Sequence, residues 1–393
     1  MPLSTSVKWF HSNMPGAPVL NASAGSLVGV LDACLINGWG LVSASSLVVA
    51  DGVATMTFAT GHSFTAHTVA LVDGATPAEL NGEKRVLSIT ANAITFEAPG
   101  VLNGAATGAI TAKLAPAGWG IAFQDTNRRA YRAALGNRHY LQVDDTNTVT
   151  GWNTGSNAAA TKIRACEGMT GIATVENVFL DSWWLKYDST AGTAARPWFI
   201  VADDRLVYVI TSPIGSDPSR GSAGCFGETV TFKPGDAYHT IAVGGDFSGS
   251  TSSPSTATQL SFMRYALLGA LWSSGHKALA RPYHQILSQA PVTMFGSGLS
   301  DRLGFGGAAY PNAADNALVV SDVWLLESGS IRGLMPGLLQ LLHTRPISDF
   351  QLIDAGAVRP GRRLVGMSAL TYTSGANTLQ SGQALFDVTG PWR

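Results

Sequence analysis

Most of the chain alternates hydrophobic and polar residues with the two-residue period of β-strands. The run "SLVVADGVATMTF" contains two such strands joined by Asp51 and Gly52, a pair that accepts the positive φ angles of a tight hairpin turn. Further strand-like runs lie near 68–72, 84–90, 93–97 and 108–114, and turn residues separate them. Five or six short strands in this part of the chain predict a small barrel or sandwich.

The motif "NGWG" at 37–40 returns as "AGWG" at 117–120, on either side of this β segment. We therefore predict that residues 46–115 form a small β domain inserted in a larger body. An internal repeat is the alternative, and it rests on only three shared residues. The remaining predicted parts are an N-terminal segment of the body (1–45), a β-rich body (116–330) and a C-terminal segment that completes it (331–393).

Two segments have hydrophobic residues at helical spacing. In "GSLVGVLDACLI", residues 25–36, the pattern predicts a short helix with Ser26 as its N-cap. In "RGLMPGLLQLLHTRP", residues 332–346, it predicts a second short helix, with Pro336 in the first turn and His343 and Arg345 at the C-terminal end. Residues 259–273 favour a helix over a strand, and the polar stretch 244–259 is predicted as a loop.

Later runs such as "RPWFIVADDRLVYVITS" continue the β pattern. Trp198, Ile200, Tyr208 and Ile210 follow every second position, which is typical of a sheet with one buried face, and "DDR" at 203–205 predicts the hairpin turn. The predicted fold class is therefore mainly β: a β-sandwich or jelly-roll-like body, a short N-terminal helix and an inserted small β-barrel domain.

Composition adds that the surface is poor in charge. The 393 residues are 46% hydrophobic and 13% charged, about half the usual charged share. An isolated monomer keeps its surface charged, so this chain is expected to cover part of its surface with neighbouring subunits. The net charge is −1 and the 25 Lys and Arg residues are scattered. We therefore expect no nucleic-acid partner, since counterion release needs clustered cations.

The basic residues cluster at only two places in the sequence, with three arginines at each. They are Arg128, Arg129 and Arg132, then Arg359, Arg362 and Arg363. Each is short enough to belong to an ordinary turn or an intersubunit ion pair.

The cysteines and the N-terminal sequence show no pattern typical of a disulfide framework, a metal site or a secretion signal. Cys34, Cys166 and Cys225 are widely separated and odd in number, which favours buried free thiols over disulfides or a metal site. The N-terminus "MPLSTSVKWFHSNMPG" lacks a cationic start followed by an apolar core, so we expect assembly in a bacterial cytoplasm. No apolar run reaches the length of about 20 residues that a membrane-spanning helix needs, and we expect no membrane insertion.

No phosphate-binding loop, dinucleotide fingerprint, zinc helix or nucleophile elbow occurs, and we expect neither enzymatic activity nor a cofactor. The acidic pairs at 144–145 and 203–204 could serve a glycosidase, but adjacent strand residues point to opposite faces and both pairs fall at predicted turns. The histidine pairs His62 with His67 and His276 with His284 lack the spacing and companions of a zinc site.

The aromatic pair Trp183 and Trp184 is the remaining candidate site. Exposed tryptophans can stack on sugars, so the pair is a candidate carbohydrate contact. Core or interface packing is the favoured interpretation of these residues.

Several long segments resemble one family. The start "VKWFHSNMPGAPVLNASAGSLVGVLDACLINGWG", the segments "RPWFIVADDRLVYV" and "CFGETVTFKPGDAY", and the end "RGLMPGLLQLLHTRP" with "GQALFDVTGPWR" are similar to virion or tail structural proteins of tailed bacteriophages and prophages. The resemblance covers most of the chain in order, and the inserted segment resembles small β modules of phage tail and fibre proteins. It implies a particle component and carries over no catalytic residues.

Four functional hypotheses follow. The first is a structural subunit of a phage particle, and its expected position is the tail or baseplate. It would form homo-oligomers and contact other virion proteins. The second is a tail-tip module that binds a host receptor or surface glycan and needs exposed Trp183 and Trp184. The third is a depolymerase that acts through residues such as Asp204. The fourth is a decoration protein on the capsid.

Overall fold

The computed structural model describes residues 3–146, 159–187, 192–212, 222–244, 277–286, 290–295, 309–343, 347–356, 359–372 and 379–393. The helical elements in these ranges are α1 (Ser26–Leu31), a π-helix (Asp32–Asn37) and a 3-10 turn (Ala78–Leu80). The described strands are β1 (Lys8–His11), β2 (Trp39–Ala50), β3 (Val53–Phe58), β4 (Val69–Asp73), β5 (Gly82–Ile89), β6 (Ala93–Glu97), β7 (Gly104–Ala105), β8 (Thr111–Leu114), β9 (Gly120–Asp125), β10 (Arg128–Arg132), β11 (Tyr140–Asp144), β12 (Ala159–Gly171), β13 (Thr174–Tyr187), β14 (Trp198–Ala202), β15 (Leu206–Thr211), β16 (Ser222–Glu228), β17 (Val230–Thr231), β18 (Thr240–Val243), β19 (Lys277–Leu279), β20 (Ala290–Pro291), β21 (Thr293–Phe295), β22 (Val320–Glu327), β23 (Ser330–Leu341), β24 (Leu352–Asp354), β25 (Arg363–Tyr372) and β26 (Leu379–Asp387). The mainly β fold is confirmed.

The inserted segment is a closed six-stranded antiparallel barrel. Its strands follow the order β3-β6-β5-β4-β8-β2, and β2 pairs back to β3. The short strand β7 pairs with the later part of β2, on the edge that β2 also shares with β8. The predicted hairpin between β2 and β3 is confirmed, with φ +50° at Asp51 and +76° at Gly52. Inward residues such as Met56 and Phe96 are fully buried, as the two-residue alternation requires.

The barrel begins earlier than the predicted position 46. Trp39 already pairs with Leu114, so residues 39–45, which the sequence analysis assigned to the body, are barrel strand. The chain returns beside its point of departure, because the amides of Ala117 and Trp119 donate to the carbonyl oxygens of Cys34 and Leu35 at 2.9 and 3.0 Å. The first Gly-Trp-Gly motif therefore overlaps the start of barrel strand β2, and the second follows the end of the barrel.

The predicted N-terminal helix is present as α1 and the π-helix that continues it, and it buries Leu27, Leu31 and Cys34. The predicted cap is wrong. The N-cap residue is Gly25, and the Ser26 hydroxyl donates to the carbonyl oxygen of Asn21. A distant carboxylate takes the capping role, since Asp145 Oδ2 accepts the Leu27 amide at 2.9 Å.

The body consists of three stacked antiparallel sheets. The central sheet has the order β1-β14-β15-β16-β18-β19-β20, the long-hairpin sheet β13-β12-β11-β10-β9, and the C-terminal sheet β21-β22-β23-β26-β25-β24 with β17 on β23. The Trp184 indole of the long-hairpin sheet donates to Val243 O of the central sheet at 2.9 Å. On the opposite face, the Tyr208 hydroxyl donates to Pro336 O of the C-terminal sheet at 2.7 Å.

This stacking corrects the prediction of one buried face for β14 and β15. Every residue of Trp198–Ala202 and Leu206–Thr211 is buried, because the central sheet is covered on both sides. The predicted turn at 203–205 is confirmed, and Asp203 Oδ1 accepts the amides of Arg205 and Leu206 there.

The predicted helix at 332–346 is wrong. Residues 330–341 form β23, which pairs with β22 and β26, and residues 344–346 lie outside the described ranges. Leu338 packs into the main core, whereas Leu339 and Leu341 pack into a second cluster with Leu364 and Leu385. A strand with apolar residues on both faces loses its two-residue period, and its leucines then fall at helical spacing by coincidence. The predicted helix at 259–273 and nearly all of the predicted loop at 244–259 also lie outside the described residues.

Candidate functional site

The candidate carbohydrate contact is buried. Trp183 and Trp184 are 8% and 4% exposed. The Lys162 ammonium lies 4.6 Å from the centre of the Trp183 ring. The Trp184 ring is seated over Gly224 of the central sheet, where a Cβ would stand 2.1 Å from Nε1. Neither residue presents an open ring face to a sugar, and both side chains are packed in the interior, which was the favoured interpretation.

The acidic pairs do not form a shared carboxylate site. Asp144 accepts hydrogen bonds from the amide and hydroxyl of Thr146, which is a local turn contact. Asp145 is fully buried and contacts the Lys186 ammonium. Asp203 is buried in its turn, and burial raises its pKa, whereas Asp204 is exposed beside Arg205. In each pair one aspartate, Asp145 or Asp203, is buried in the fold. The other, Asp144 or Asp204, lies in a turn or faces solvent.

Of the candidate histidines, His62, His284 and His343 have protein partners, whereas the buried Nδ1 of His67 has no hydrogen-bond partner among the described residues. His62 Nε2 donates to Thr90 O at 2.9 Å while its Nδ1 accepts the Phe64 amide. His284 Nδ1 accepts the Ile286 amide, and His276 lies outside the described residues. His343 Nε2 accepts the Val319 amide, so its Nδ1 donates to Ala309 O. Within the described ranges, no group of three His, Cys, Asp or Glu side chains is arranged to hold a metal ion.

The predicted buried free thiols are confirmed for all three cysteines. Burial raises the pKa of Cys166 to about 12 and raises those of Cys34 and Cys225 as well. These thiols therefore stay protonated and unreactive at neutral pH.

The arginines of the two basic groups make contacts within the chain, and five of the six form ion pairs. Arg128 contacts Asp125, Arg129 lies 3.0 Å from Asp32, and Arg132 stacks over Tyr140. Arg359, Arg362 and Arg363 contact Asp322, Asp387 and Asp354, respectively. Among the described residues, no helix has the length and hydrophobicity to cross a membrane.

One arginine joins the barrel to the body. Arg85 of β5 is 3% exposed and donates six hydrogen bonds to backbone carbonyl groups. These carbonyls belong to Ser4, Val7, His67, Val388 and Thr389. The planar guanidinium therefore ties both chain termini to the barrel, and we call this contact the barrel–body joint.

Burial lowers the pKa of Arg85 to about 10, so the guanidinium keeps its charge at neutral pH. Two neighbouring contacts reinforce the joint: Lys8 lies 2.9 Å from Glu83, and the Trp9 indole donates to His67 O at 3.1 Å. The barrel is thus fixed to the body by polar contacts that require one relative orientation of the two parts.

The outer face of the β2–β3 hairpin is uncharged and partly apolar. Its exposed residues lie on neighbouring positions, since Val48 pairs with Thr55 and Ala105, and Ala50 pairs with Val53. Leu102, 89% exposed, lies two residues before β7, and the next residue, Asn103, accepts the Asp51 amide at the hairpin turn at 2.9 Å. We call the set the hairpin face; it comprises Val48, Ala50, Val53, Thr55, Leu102 and Ala105.

The hairpin face is suited to protein contact. Across residues 39–58 the only charged side chain is Asp51, at the turn. Interface centres are depleted in charged residues, and contiguous exposed apolar side chains are uncommon on the surface of a monomer. Neither this face nor the barrel–body joint was predicted from the sequence. The charge-free stretch was visible in the sequence, whereas nothing in "NGEKRVLSI" distinguished Arg85 from a surface cation.

A scan against protein-family models and a search of curated proteins found no match to this chain.

Proposed function

We propose that this chain is a structural subunit of a tailed-bacteriophage particle, at the tail or baseplate, and that it acts by protein–protein assembly. The observation that carries the proposal is the hairpin face, an exposed surface without charged side chains on the barrel. The segments that resemble phage virion proteins, which cover most of the chain in order, support the same assignment.

The architecture suits an assembly role. A module that binds a neighbouring subunit transmits the contact only if it is rigidly attached, and the barrel–body joint provides that attachment through six charge-assisted hydrogen bonds. The three-layer body buries two complete faces of the central sheet and so provides a stiff base. The expected occupants of the hairpin face are another copy of this chain or a second virion protein.

The test places a charge on the hairpin face. Val48→Glu and Leu102→Glu change exposed side chains, so folding should be preserved, while a buried carboxylate in an interface would prevent incorporation into particles. Leu41→Glu is the matched control, because Leu41 is an exposed leucine, 72% accessible, on the same strand but outside the face.

The readout is the amount of each variant in purified particles after complementation of a phage lacking the gene. We expect Leu41→Glu to be incorporated normally and the two hairpin-face variants to be reduced at least tenfold, with unchanged circular dichroism. Normal incorporation of both hairpin-face variants would overturn the assignment of this face.

A further inference from the structure

A lysine and an aspartate meet in the interior between the helix and the long-hairpin sheet. Lys186 of β13 contacts Asp145, which directly follows β11, and both side chains are 0% exposed. The two residues are 41 positions apart in sequence, so the contact joins distant parts of the chain. Neither residue was assigned a role by the proposed function.

Each atom of this contact has a defined neighbour. The Lys186 ammonium donates to Ser23 O at 2.8 Å and to Asp145 Oδ1. The Thr161 hydroxyl donates to the same Oδ1 at 2.8 Å, and the Leu27 amide donates to Oδ2 at 2.9 Å. One carboxyl oxygen therefore faces the amine and a hydroxyl, while the other faces a fixed backbone N–H.

Burial favours the uncharged forms of both partners. Desolvation raises the pKa of Asp145 and lowers the pKa of Lys186, and the mutual attraction of the pair opposes both shifts. A neutral amine is a nucleophile, whereas an ammonium group is not. A neutral carboxylic acid is likewise open to attack at its carbon, because it lacks the charge that repels a nucleophile.

We propose that Lys186 and Asp145 condense to form an intramolecular isopeptide bond. The Nζ lone pair attacks Cγ of the neutral Asp145 carboxyl group and forms the N–C bond. The C–Oδ1 bond then breaks, and Oδ1 leaves as water with its own proton and one proton from Nζ. The product is a secondary amide, and the reaction needs no oxidant, reductant or activating co-reactant.

The neighbouring groups suit the two stages of this step. In the tetrahedral intermediate the charge develops on Oδ2, where the Leu27 amide donates a hydrogen bond, as donors do in an oxyanion hole. The Thr161 hydroxyl lies on Oδ1, where it can relay the amine proton to the departing oxygen. Because both side chains are fully shielded from solvent, condensation is favoured over hydrolysis of the new bond.

The bond would link the end of β11 to β13 and enclose the residues between them in a covalent loop. Such a crosslink reduces the conformational freedom of the unfolded chain, as a disulfide does, without requiring cysteine pairing. This chain keeps its three cysteines free. The link would therefore be insensitive to the reducing conditions of a cytoplasm.

The test is the mass of the purified full-length chain under denaturing conditions. We expect the mass to be lower than the sequence mass by one water molecule. Because the Asp51-Gly52 sequence could also lose water as a succinimide, the link is located by tryptic digestion. We expect one branched peptide that joins residues 139–162 to residues 165–205, since trypsin does not cleave after an acylated lysine.

Two controls accompany the mass measurement. Lys186→Met keeps the length of the side chain but removes the amine, and it should have its full calculated mass. The pair Lys162 and Asp181 is the internal control, because it also forms an ion pair but its carboxylate is 45% exposed, and it should give no linked peptide. A full sequence mass for the unmutated chain, with free cleavage after Lys186, would overturn the proposal, and this outcome does not depend on how any variant folds.

Discussion

The barrel–body joint gives a prediction whose size can be worked from the structure. Arg85→Met keeps the apolar stem and removes the guanidinium, so six hydrogen bonds to five carbonyl groups are lost. The His67 carbonyl keeps its bond from the Trp9 indole, and the loss therefore falls mainly on the other four acceptors. A buried acceptor left without a donor costs about 1–3 kcal/mol.

Because some of these carbonyls lie near the surface and can recover water, we expect a total loss of about 4 kcal/mol. That is a large share of the roughly 5–15 kcal/mol by which folded domains are stable. The measurement is urea denaturation followed by tryptophan fluorescence, together with hydrogen exchange of the terminal segments. Exchange should accelerate at residues 3–10 and 385–390, since both segments are held by Arg85.

The adjacent Lys84→Met is the matched control. Lys84 is on the same strand, and its ammonium donates only to Glu79 O at the surface, so its loss should change stability by less than about 0.5 kcal/mol. If Arg85→Met were as stable as Lys84→Met and the terminal amides stayed protected, the joint would not hold the barrel to the body.

Three further predictions concern the body. Burial lowers the pKa of His11 and of His139 from the ordinary 6.5 to about 4, so the folded chain resists protonation that the unfolded chain accepts. The free energy of unfolding should therefore be highest above pH 6.5 and fall by about 3 kcal/mol per histidine as the pH drops to 4. In His139→Gln the urea concentration at the unfolding midpoint should change less with pH over that range. Gly224→Ala should cost about 1–3 kcal/mol, because the new Cβ would collide with the Trp184 ring, whereas Gly171→Ala has open space and should be neutral in thermal melts. Ellman's reagent should label none of Cys34, Cys166 and Cys225 in the folded chain and all three in denaturant; rapid labelling before unfolding would contradict their burial.

Local signals in the sequence predicted the parts of the fold that local physics decides. Asp51 and Gly52 specify their hairpin by backbone conformation alone, and the alternation of the barrel strands follows from one buried and one exposed face. The helix at 25–36 was likewise predictable, because its apolar residues all face one core.

The errors arose where tertiary packing covers both faces of a strand. β23 lies between two apolar clusters, so its leucines carry no strand period. Pro336 is tolerated there because it lies in an irregularity of the β22–β23 pairing, between Leu334 and Leu339, where no ladder hydrogen bond from its nitrogen is required. Packing was the favoured interpretation of Trp183 and Trp184, but the layers that cover these two residues could not be placed from the sequence. Arg85 and the Lys186–Asp145 contact depend on partners far away in the chain, and no local pattern identifies such pairs.

Mass spectrometry of purified virions of the phage that encodes this chain, with heads and tails separated before digestion, tests the central claim most directly. The account predicts recovery of the chain with the tails at several copies per particle. Its absence from both fractions would contradict the structural role, and recovery with the heads would contradict the tail or baseplate position.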